Sequence, residues 1–306
     1  MSANLNNRIQ GSIVALVTPM LEDKSIDFDS FHNLLNWHKQ SGTDAVIIAG
    51  TTGESATLST DEHCKLISLA VEYLKDSQMA VIAGSGSNAT DEAIYLTEHA
   101  AQAGAHASLQ VVPYYNKPTQ KGIYQHFEKI ARAVDLPIIL YNVPGRTVVD
   151  FKNDFILELA EIDNICGIKD ATGDVGRGIS LIHKINKIAK TSKFSVYSGD
   201  DLTAAALMLM GAQGNISVTA NVAPKLMKQL CSAAMAGQVS ETCFINNQLH
   251  GFNKNLFIES NPIPCKYALS KLGKINNVLR LPLTNLDEQY EYLIDEALKQ
   301  AKLLDN

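Results

Sequence analysis

Residues 165–173 have the sequence ICGIKDATG, a short apolar run followed by a polar turn. This pattern is typical of a buried β-strand that ends at the turn. Lys169 lies at the carboxyl end of the predicted strand, and the two-residue period of a strand places it on the same side as Ile165 and Gly167. Cys166 is offset from Lys169 by an odd number of residues, so we expect it to face a layer of helices.

A lysine is rarely buried without a functional or electrostatic reason. Burial disfavours the charged form of an amine and so leaves more of the amine free to attack carbonyl carbon atoms. On this interpretation Lys169 is a nucleophile. The alternative is a lysine whose stem packs inside the protein while its ammonium group reaches solvent or a carboxylate such as Asp170.

Seven other segments have the same strand-like character, and a segment with helical periodicity follows each of the eight. Their starts lie roughly 20 to 34 residues apart, close to the spacing expected when about 250 residues form eight βα units. Eight alternations predict an α/β fold, a closed (β/α)8 TIM barrel, because a doubly wound sheet normally has fewer strands. The predicted strands are Gly11–Thr18, Ala45–Gly50, Met79–Gly84, Ala107–Val112, Pro137–Asn142, Ile165–Lys169, Phe194–Gly199 and Gly214–Thr219. The predicted helices are Phe28–Gln40, Thr60–Lys75, Asp91–Ala103, Thr119–Ala133, Asn153–Glu161, Gly178–Lys190, Leu202–Met210 and Pro224–Ala236.

The β-strand signal ends after Ala236, and three further helices are predicted, at Glu241–Phe257, Pro264–Leu272 and Leu286–Leu303. We therefore expect two parts: a barrel over residues 1–235 that carries the catalytic site, and a C-terminal helical extension over residues 236–306.

Composition and charge restrict the partners. The formal net charge is −6 and no basic block is present, which disfavours a nucleic-acid or anionic-membrane partner and leaves room for small anionic ligands. Residues 1–10 are polar, so no signal peptide is expected, and the most apolar helical segment, Thr203–Ala212, is too short to span a bilayer. Five cysteines without a C-x-x-C spacing favour neither a disulfide framework nor a zinc site, and they indicate the cytoplasm.

No cofactor or metal is expected. The glycine-rich segment Gly84–Ala89 imitates a dinucleotide-binding loop, but it follows the third strand and no suitable ribose-binding acid accompanies it. Glu62, His63 and Cys64 are adjacent in sequence, which is poor metal-binding geometry on a helix.

The carboxyl ends of the strands carry the chemistry in a barrel of this kind. Tyrosines, an arginine and a lysine converge on this end of the predicted barrel, and their clustering indicates a site. The segments concerned are Gly50–Ser55, Pro113–Asn116, Tyr141–Thr147, Lys169, Ser198–Asp201 and Ile216–Thr219.

Three groups there suit a carbonyl reaction. The turn that contains Thr51 and Thr52 can direct backbone N–H groups and two hydroxyls at an anion, or it can simply cap the next helix. Tyr141 lies on the strand next to Lys169, about 4.8 Å away, where its phenol can transfer protons or instead be an ordinary core hydroxyl. Arg146 can bind a carboxylate in bidentate fashion, or form a surface salt bridge.

Three motifs, GTTGE at 50–54, YNVPGRT at 141–147 and IKDAT at 168–172, closely resemble the dihydrodipicolinate synthases. This family belongs to the pyruvate-dependent class I aldolases, which include N-acetylneuraminate lyase. The similarity extends from Gly11 to Leu303 and includes the NPIP segment at 261–264. It implies a lyase of lysine and diaminopimelate biosynthesis that condenses pyruvate with L-aspartate 4-semialdehyde to give 4-hydroxy-tetrahydrodipicolinate.

The resemblance also implies roles for individual residues. Lys169 would form a Schiff base with pyruvate, and Thr51 and Thr52 would bind the pyruvate carboxylate. Arg146 would bind the carboxylate of the semialdehyde, and Tyr141, Thr52 and Tyr115 would form a proton relay. Because Tyr115 of this family reaches the active site of a neighbouring subunit, a dimer is the minimum active unit and a homotetramer, a dimer of dimers, is expected. The implied substrate-binding set also contains Gly199 and Ile216.

Some members of the family are inhibited by lysine bound at the dimer interface. Thr60 departs from that pattern, since some inhibited enzymes carry histidine there, and Asp170 replaces a glutamate that is common after the reactive lysine. The alternative for His63 and Glu92 is that they are solvated helix positions. The residues that match the inhibitor pocket are Ser55, Ala56, His63, Asn88, Glu92 and Tyr114.

Two other functions remain open at this point. One is a different pyruvate aldolase that acts on a sugar acid, and the other is a non-catalytic barrel that binds anions at the same place.

Overall fold

Eight parallel strands form a closed barrel in the computed structural model, which describes residues 9–187 and 194–304. Each strand pairs with the next one along the chain, and β8 pairs with β1. The predicted (β/α)8 barrel is therefore confirmed. The strands are β1 Gly11–Ala15, β2 Ala45–Ile48, β3 Ala80–Gly84, β4 Ala107–Val111, β5 Ile138–Asn142, β6 Ile165–Asp170, β7 Ser195–Ser198 and β8 Gly214–Ser217.

Helices alternate with the strands at the predicted places. An additional short segment, Pro144–Thr147, forms a single helical turn that begins at a proline, a residue whose fixed φ suits the first helical position. The predicted helix Gly178–Lys190 extends beyond the described residues, and its described part ends at Asn186. The helices are α1 Phe28–Ser41, α2 Thr60–Leu74, α3 Thr90–Ala103, α4 Gln120–Ala133, α5 Pro144–Thr147, α6 Asn153–Leu159, α7 Val175–Asn186, α8 Ala204–Leu209, α9 Pro224–Met235, α10 Val239–Asn255, α11 Ile263–Lys271 and α12 Glu288–Gln300.

The strands are buried on both faces, as expected for a parallel sheet covered by helices. In β2, Ala45 and Ile47 pack inside the barrel, whereas Val46 and Ile48 pack against the helices. The interior cluster is small and apolar, so the barrel is filled below the level of its carboxyl end.

Strand β6 departs from the simple two-residue alternation. Ile138 pairs with Ile165, but the next residue of β5 pairs with Gly167, so Cys166 is skipped. Ile165 packs against the helices and Cys166 packs with the barrel interior, which makes the predicted orientations of both residues wrong. The bulge shifts the alternation by one residue, and beyond it Lys169 points into the barrel as predicted.

The C-terminal helices pack onto the barrel and share its outer hydrophobic core. Leu249 and Phe252 of α10 and Leu298 of α12 belong to the same buried cluster as Val14 of β1. The predicted boundary near residue 235 falls between α9 and α10. The division into two domains stays a prediction. Over residues 9–187 and 194–304, no helix is both long and apolar enough to cross a membrane.

Candidate active site

A cavity of about 230 Å³ lies at the carboxyl end of the barrel. Its wall brings together most of the residues for which the sequence predicted catalysis or substrate binding. These are Thr51, Thr52, Tyr141, Arg146, Lys169 and Gly199, together with Ser55 of the predicted inhibitor pocket.

Lys169 is 6% exposed, and its Nζ lies 4.2 Å from the centroid of the Tyr141 ring. The two residues are direct partners in the β5–β6 register, which explains their contact. None of the ion pairs in the described part of the chain includes Lys169. The Lys169 amine is therefore largely buried and pairs with no carboxylate of the described residues, and it faces a space large enough for a small substrate.

Asp170 is not the partner of this amine. Its carboxylate accepts a hydrogen bond from the backbone N–H of Thr172 at 3.1 Å and lies 3.8 Å from Nε of Arg177. Burial raises the pKa of Asp170. The interpretation of Lys169 as an amine paired with Asp170 is therefore excluded.

Tyr141 is buried, yet its hydroxyl makes no hydrogen bond with any residue in the described ranges. A core tyrosine normally satisfies its hydroxyl. The phenol at the cavity wall is thus available for a ligand, which favours proton transfer over a purely structural role.

The turn after β2 has the geometry of an anion cradle. The backbone N–H groups of Gly53, Glu54 and Ser55 bond within the turn, to the carbonyl oxygens of Gly50 or Thr51. Those of Thr51 and Thr52 have no partner among the described residues, and both threonines line the cavity. Two adjacent free N–H groups at a cavity wall can bind a carboxylate.

The hydroxyl of Thr52 contacts the C-terminal extension. Thr52 is buried, and its Oγ1 accepts a hydrogen bond from Nδ2 of Asn261 at 2.8 Å. Arg146 also contacts this residue, because its Nη2 donates to the Asn261 carbonyl oxygen at 3.1 Å. No ion pair of the described chain includes Arg146, so its remaining N–H groups are available at the cavity.

Gly199 is constrained by the reactive lysine. A Cβ atom at this position would lie 2.8 Å from Cε of Lys169, closer than non-bonded carbon atoms approach. Ile216 does not line the cavity. It is buried in the apolar interior of the barrel, whereas Val218, two residues further along, forms part of the cavity wall.

Tyr115 lies outside the cavity of its own chain. It is 94% exposed, with φ at 70°, a left-handed conformation that is uncommon for a non-glycine residue. Its predicted part in the relay needs a second chain and remains a prediction.

The predicted inhibitor residues form a neighbouring group. Asn88 Nδ2 donates to the Tyr114 carbonyl oxygen at 3.1 Å, and Ser87 donates to the Glu92 carboxylate. Burial raises the pKa of Tyr114, and Glu92 adds to the effect. Ser55 and Ala56 begin a short 3-10 turn at the end of the turn Gly50–Ser55, called the threonine turn below.

His63 is buried rather than solvated, and its Nε2 lies 2.8 Å from the carbonyl oxygen of Gly84. Burial lowers the pKa of this imidazole, so a neutral ring is favoured. The alternative of a solvated helix position is therefore wrong for His63, whereas Glu92 is exposed.

Several cavity residues had no predicted role, among them Phe257 and Asn261. For Asn261 the only available signal was the NPIP segment that begins with it. Within the described ranges, His, Cys, Asp and Glu side chains form no group of three or more that could bind a metal ion.

Comparisons with known proteins identify the family. Residues 8–301 match the sequence model of the dihydrodipicolinate synthetase family. The chain belongs to this family. A curated relative from Polynucleobacter asymbioticus, named 4-hydroxy-tetrahydrodipicolinate synthase, is 56% identical over 97% of this chain and 96% of its own length.

Solved structures of the family have the same fold. The chloride-inhibited dihydrodipicolinate synthase of Acinetobacter baumannii, complexed with pyruvate, is 52% identical with a TM-score of 0.94, covering 97% of this chain and 100% of that chain. The enzyme of Cyanidioschyzon merolae, with lysine bound, is 37% identical with a TM-score of 0.91, covering 97% and 99% of the two chains. The family resemblance of the three motifs is thereby confirmed.

Proposed function

We propose that this chain is a Schiff-base-forming lyase that condenses pyruvate with L-aspartate 4-semialdehyde to give 4-hydroxy-tetrahydrodipicolinate. The reaction belongs to lysine and diaminopimelate biosynthesis. The names of the relatives and the pyruvate bound to the Acinetobacter enzyme support this function. The observation in this chain that carries it is the buried amine of Lys169, which pairs with no carboxylate of the described residues and contacts Tyr141 at the cavity wall.

The reaction begins when Nζ of Lys169 attacks the keto carbon of pyruvate to give a carbinolamine. Loss of water forms the protonated Schiff base, and removal of a proton from the methyl group gives an enamine. The enamine carbon attacks the aldehyde of the second substrate. The amino group of that substrate then closes the ring and releases Lys169 as a free amine.

The carboxylates of the two substrates need separate binding groups. We assign the free N–H groups of Thr51 and Thr52 to pyruvate and the guanidinium of Arg146 to the semialdehyde, and their position at the cavity wall supports this assignment. Gly199 leaves the space that Lys169 occupies, and Ile216 supports the wall from below.

Proton transfer requires a relay to bulk water. We assign it to Tyr141, Thr52 and the Tyr115 of a neighbouring subunit, since Tyr115 projects away from its own chain. This assignment makes a dimer the minimum active unit, and we propose a dimer of dimers as the assembly.

Lysine is proposed as an inhibitor that binds near Ser55, Ala56, His63, Asn88, Glu92 and Tyr114. Lysine bound to the Cyanidioschyzon enzyme supports this proposal. We also propose a cytoplasmic location, in agreement with the odd number of cysteines. The inhibition is tested by titrating lysine against activity, and no inhibition at millimolar concentrations would contradict it.

The substrate assignment is tested by measuring pyruvate consumption with two aldehydes. Turnover with aspartate semialdehyde and none with the aldehyde of a sugar acid is expected. The opposite preference would assign the chain to the sugar-acid aldolases.

A further inference from the structure

A second buried lysine lies behind the threonine turn. Lys266 and Glu54 both have side chains that are 0% exposed, and Nζ of Lys266 lies 2.5 Å from Oε1 of Glu54. Nζ also donates to the carbonyl oxygen of Val278 at 2.7 Å, and Glu54 Oε2 accepts from the backbone N–H of Arg280 at 3.1 Å. Burial lowers the pKa of Lys266, while the Glu54 carboxylate opposes that shift.

Glu54 is the last residue of the GTTGE turn. Its φ is 57°, a left-handed conformation that a non-glycine residue adopts only when its surroundings enforce it. Lys266 belongs to α11, 212 residues away in sequence. The side-chain pair therefore connects the turn that carries Thr51 and Thr52 to the C-terminal helices.

Stability alone gives little reason for such a pair. A buried ion pair is often no more stabilising than apolar side chains of the same volume, because both charges lose their hydration. The pair does fix the local geometry, because two charged groups with further hydrogen-bond partners allow only one arrangement. The geometry fixed here is that of the cavity wall, two residues from Thr52.

We propose that Glu54 and Lys266 are positioning residues, which hold the N–H groups of Thr51 and Thr52 in the orientation that binds the carboxylate of the keto acid. This inference rests on the proposed function. It makes the C-terminal helical extension a part of the active site rather than a covering layer. A displacement of about 1 Å at a binding group can reduce the rate on the order of 10²-fold, so a small movement of the turn is enough.

The test compares Lys266→Met, Glu54→Gln/Lys266→Met and the matched control Lys228→Met in the full-length chain. The double variant removes both charges from the core, whereas Lys266→Met leaves a buried carboxylate without its cation. Lys228 forms a 2.6 Å ion pair with Asp44 just before β2, at the opposite end of the barrel. Circular dichroism and Tm report folding, and steady-state assays report KM for each substrate separately.

For the folded double variant, KM for pyruvate is expected to rise at least about tenfold. The rate of borohydride-trapped adduct formation at low pyruvate falls by the same factor. KM for the semialdehyde stays unchanged, because Arg146 contacts neither charged group. Lys228→Met changes neither KM.

A wild-type KM for pyruvate in the folded double variant would overturn the proposal, whatever the change in Tm. If the variants of Lys266 do not fold, the single variant Glu54→Gln tests the positioning role by the same measurements, because glutamine keeps the size of the side chain. A wild-type chain that forms no pyruvate adduct would contradict the proposed function itself. If the wild-type chain forms the adduct and the variants keep the wild-type KM for pyruvate, only the positioning role is contradicted.

Discussion

Two loops at the carboxyl end of the barrel differ in how their conformation is fixed. The turn Gly50–Ser55 is held by buried partners, among them Asn261 at Thr52 and Lys266 at Glu54. The loop Pro113–Asn116 exposes Tyr115 almost completely. Both contain a non-glycine residue in the left-handed region, but the side chain of Glu54 has a buried partner, whereas that of Tyr115 is exposed.

The difference separates the site into two parts. The proposed pyruvate-binding part lies within one chain, because its threonines, lysine and tyrosine all line one cavity. The proposed proton relay ends at Tyr115, which would act in the site of a neighbouring subunit. We therefore expect the two loops to respond differently to mutation and to changes in assembly.

Lys169 serves both parts, and its removal should have the largest effect. Lys169→Ala is expected to reduce kcat by at least about 10³-fold, because no other lysine of the described residues lines the cavity and could form the Schiff base. Steady-state turnover measures the loss, with circular dichroism as the control for folding. A variant that keeps most of its activity would contradict the mechanism.

Tyr115→Phe tests the exposed loop. Removal of one general acid–base group should reduce kcat about 10²-fold. Mixing this variant with Lys169→Ala under conditions that allow subunit exchange should restore about a quarter of the wild-type rate, since half the dimers are hybrids with one intact site each.

The complementation measurement separates transfer between subunits from a role within one chain. If mixing restores no activity although hybrid dimers form, Tyr115 does not act in the site of its neighbour.

Arg146→Ala should separate the two substrates. The loss of a charge-assisted bidentate contact is expected to reduce kcat/KM for the semialdehyde by roughly 10- to 100-fold while the pyruvate adduct still forms. Kinetics with each substrate varied, together with adduct mass, test this. Unchanged semialdehyde kinetics would refute the assigned role.

The two threonines of the fixed turn provide a finer comparison. Thr52→Val should lower kcat about tenfold or more, because it removes a relay hydroxyl, while Thr51→Val mainly raises KM for pyruvate. Measuring kcat and KM for pyruvate in both variants distinguishes the two roles. The reverse result would assign the relay hydroxyl to Thr51 instead.

The smallest effect concerns the outer contacts of the fixed turn. Hydrogen bonds from Arg280 lower the pKa of Glu62 to about 2, so this pair stabilises the folded chain above the ordinary carboxyl pKa near 4.5. The contribution, about 1 kcal/mol for a partly exposed pair, should fall as the pH decreases from 4.5 to 2. Urea unfolding of wild type and Glu62→Gln should differ at pH 7 and converge in acid, and an equal difference at both would contradict this.

Much of the fold could be predicted from local patterns. Apolar runs and helical periodicity gave all eight strands, and the adjacency of β5 and β6 was enough to place Tyr141 beside Lys169. The orientation of Cys166 could not be predicted, because the bulge arises from pairing with β5 and not from the sequence of β6 itself.

The contacts that support the turn Gly50–Ser55 could not be predicted from the sequence either. Asn261 and Lys266 contact the threonine turn from 209 and 212 residues away, and no local pattern marks such contacts. The exposed position of Tyr115 could be predicted only through the family resemblance, since a single chain contains no neighbour for it to reach.

One buried amine, Nζ of Lys169, is proposed to capture the keto acid. Treatment of the wild-type chain with pyruvate and borohydride, followed by peptide mass spectrometry, tests it most directly. A single reduced pyruvate adduct on Lys169 is expected, and none on Lys266, whose side chain is fully buried. An unmodified Lys169, or an adduct at another lysine, would contradict it.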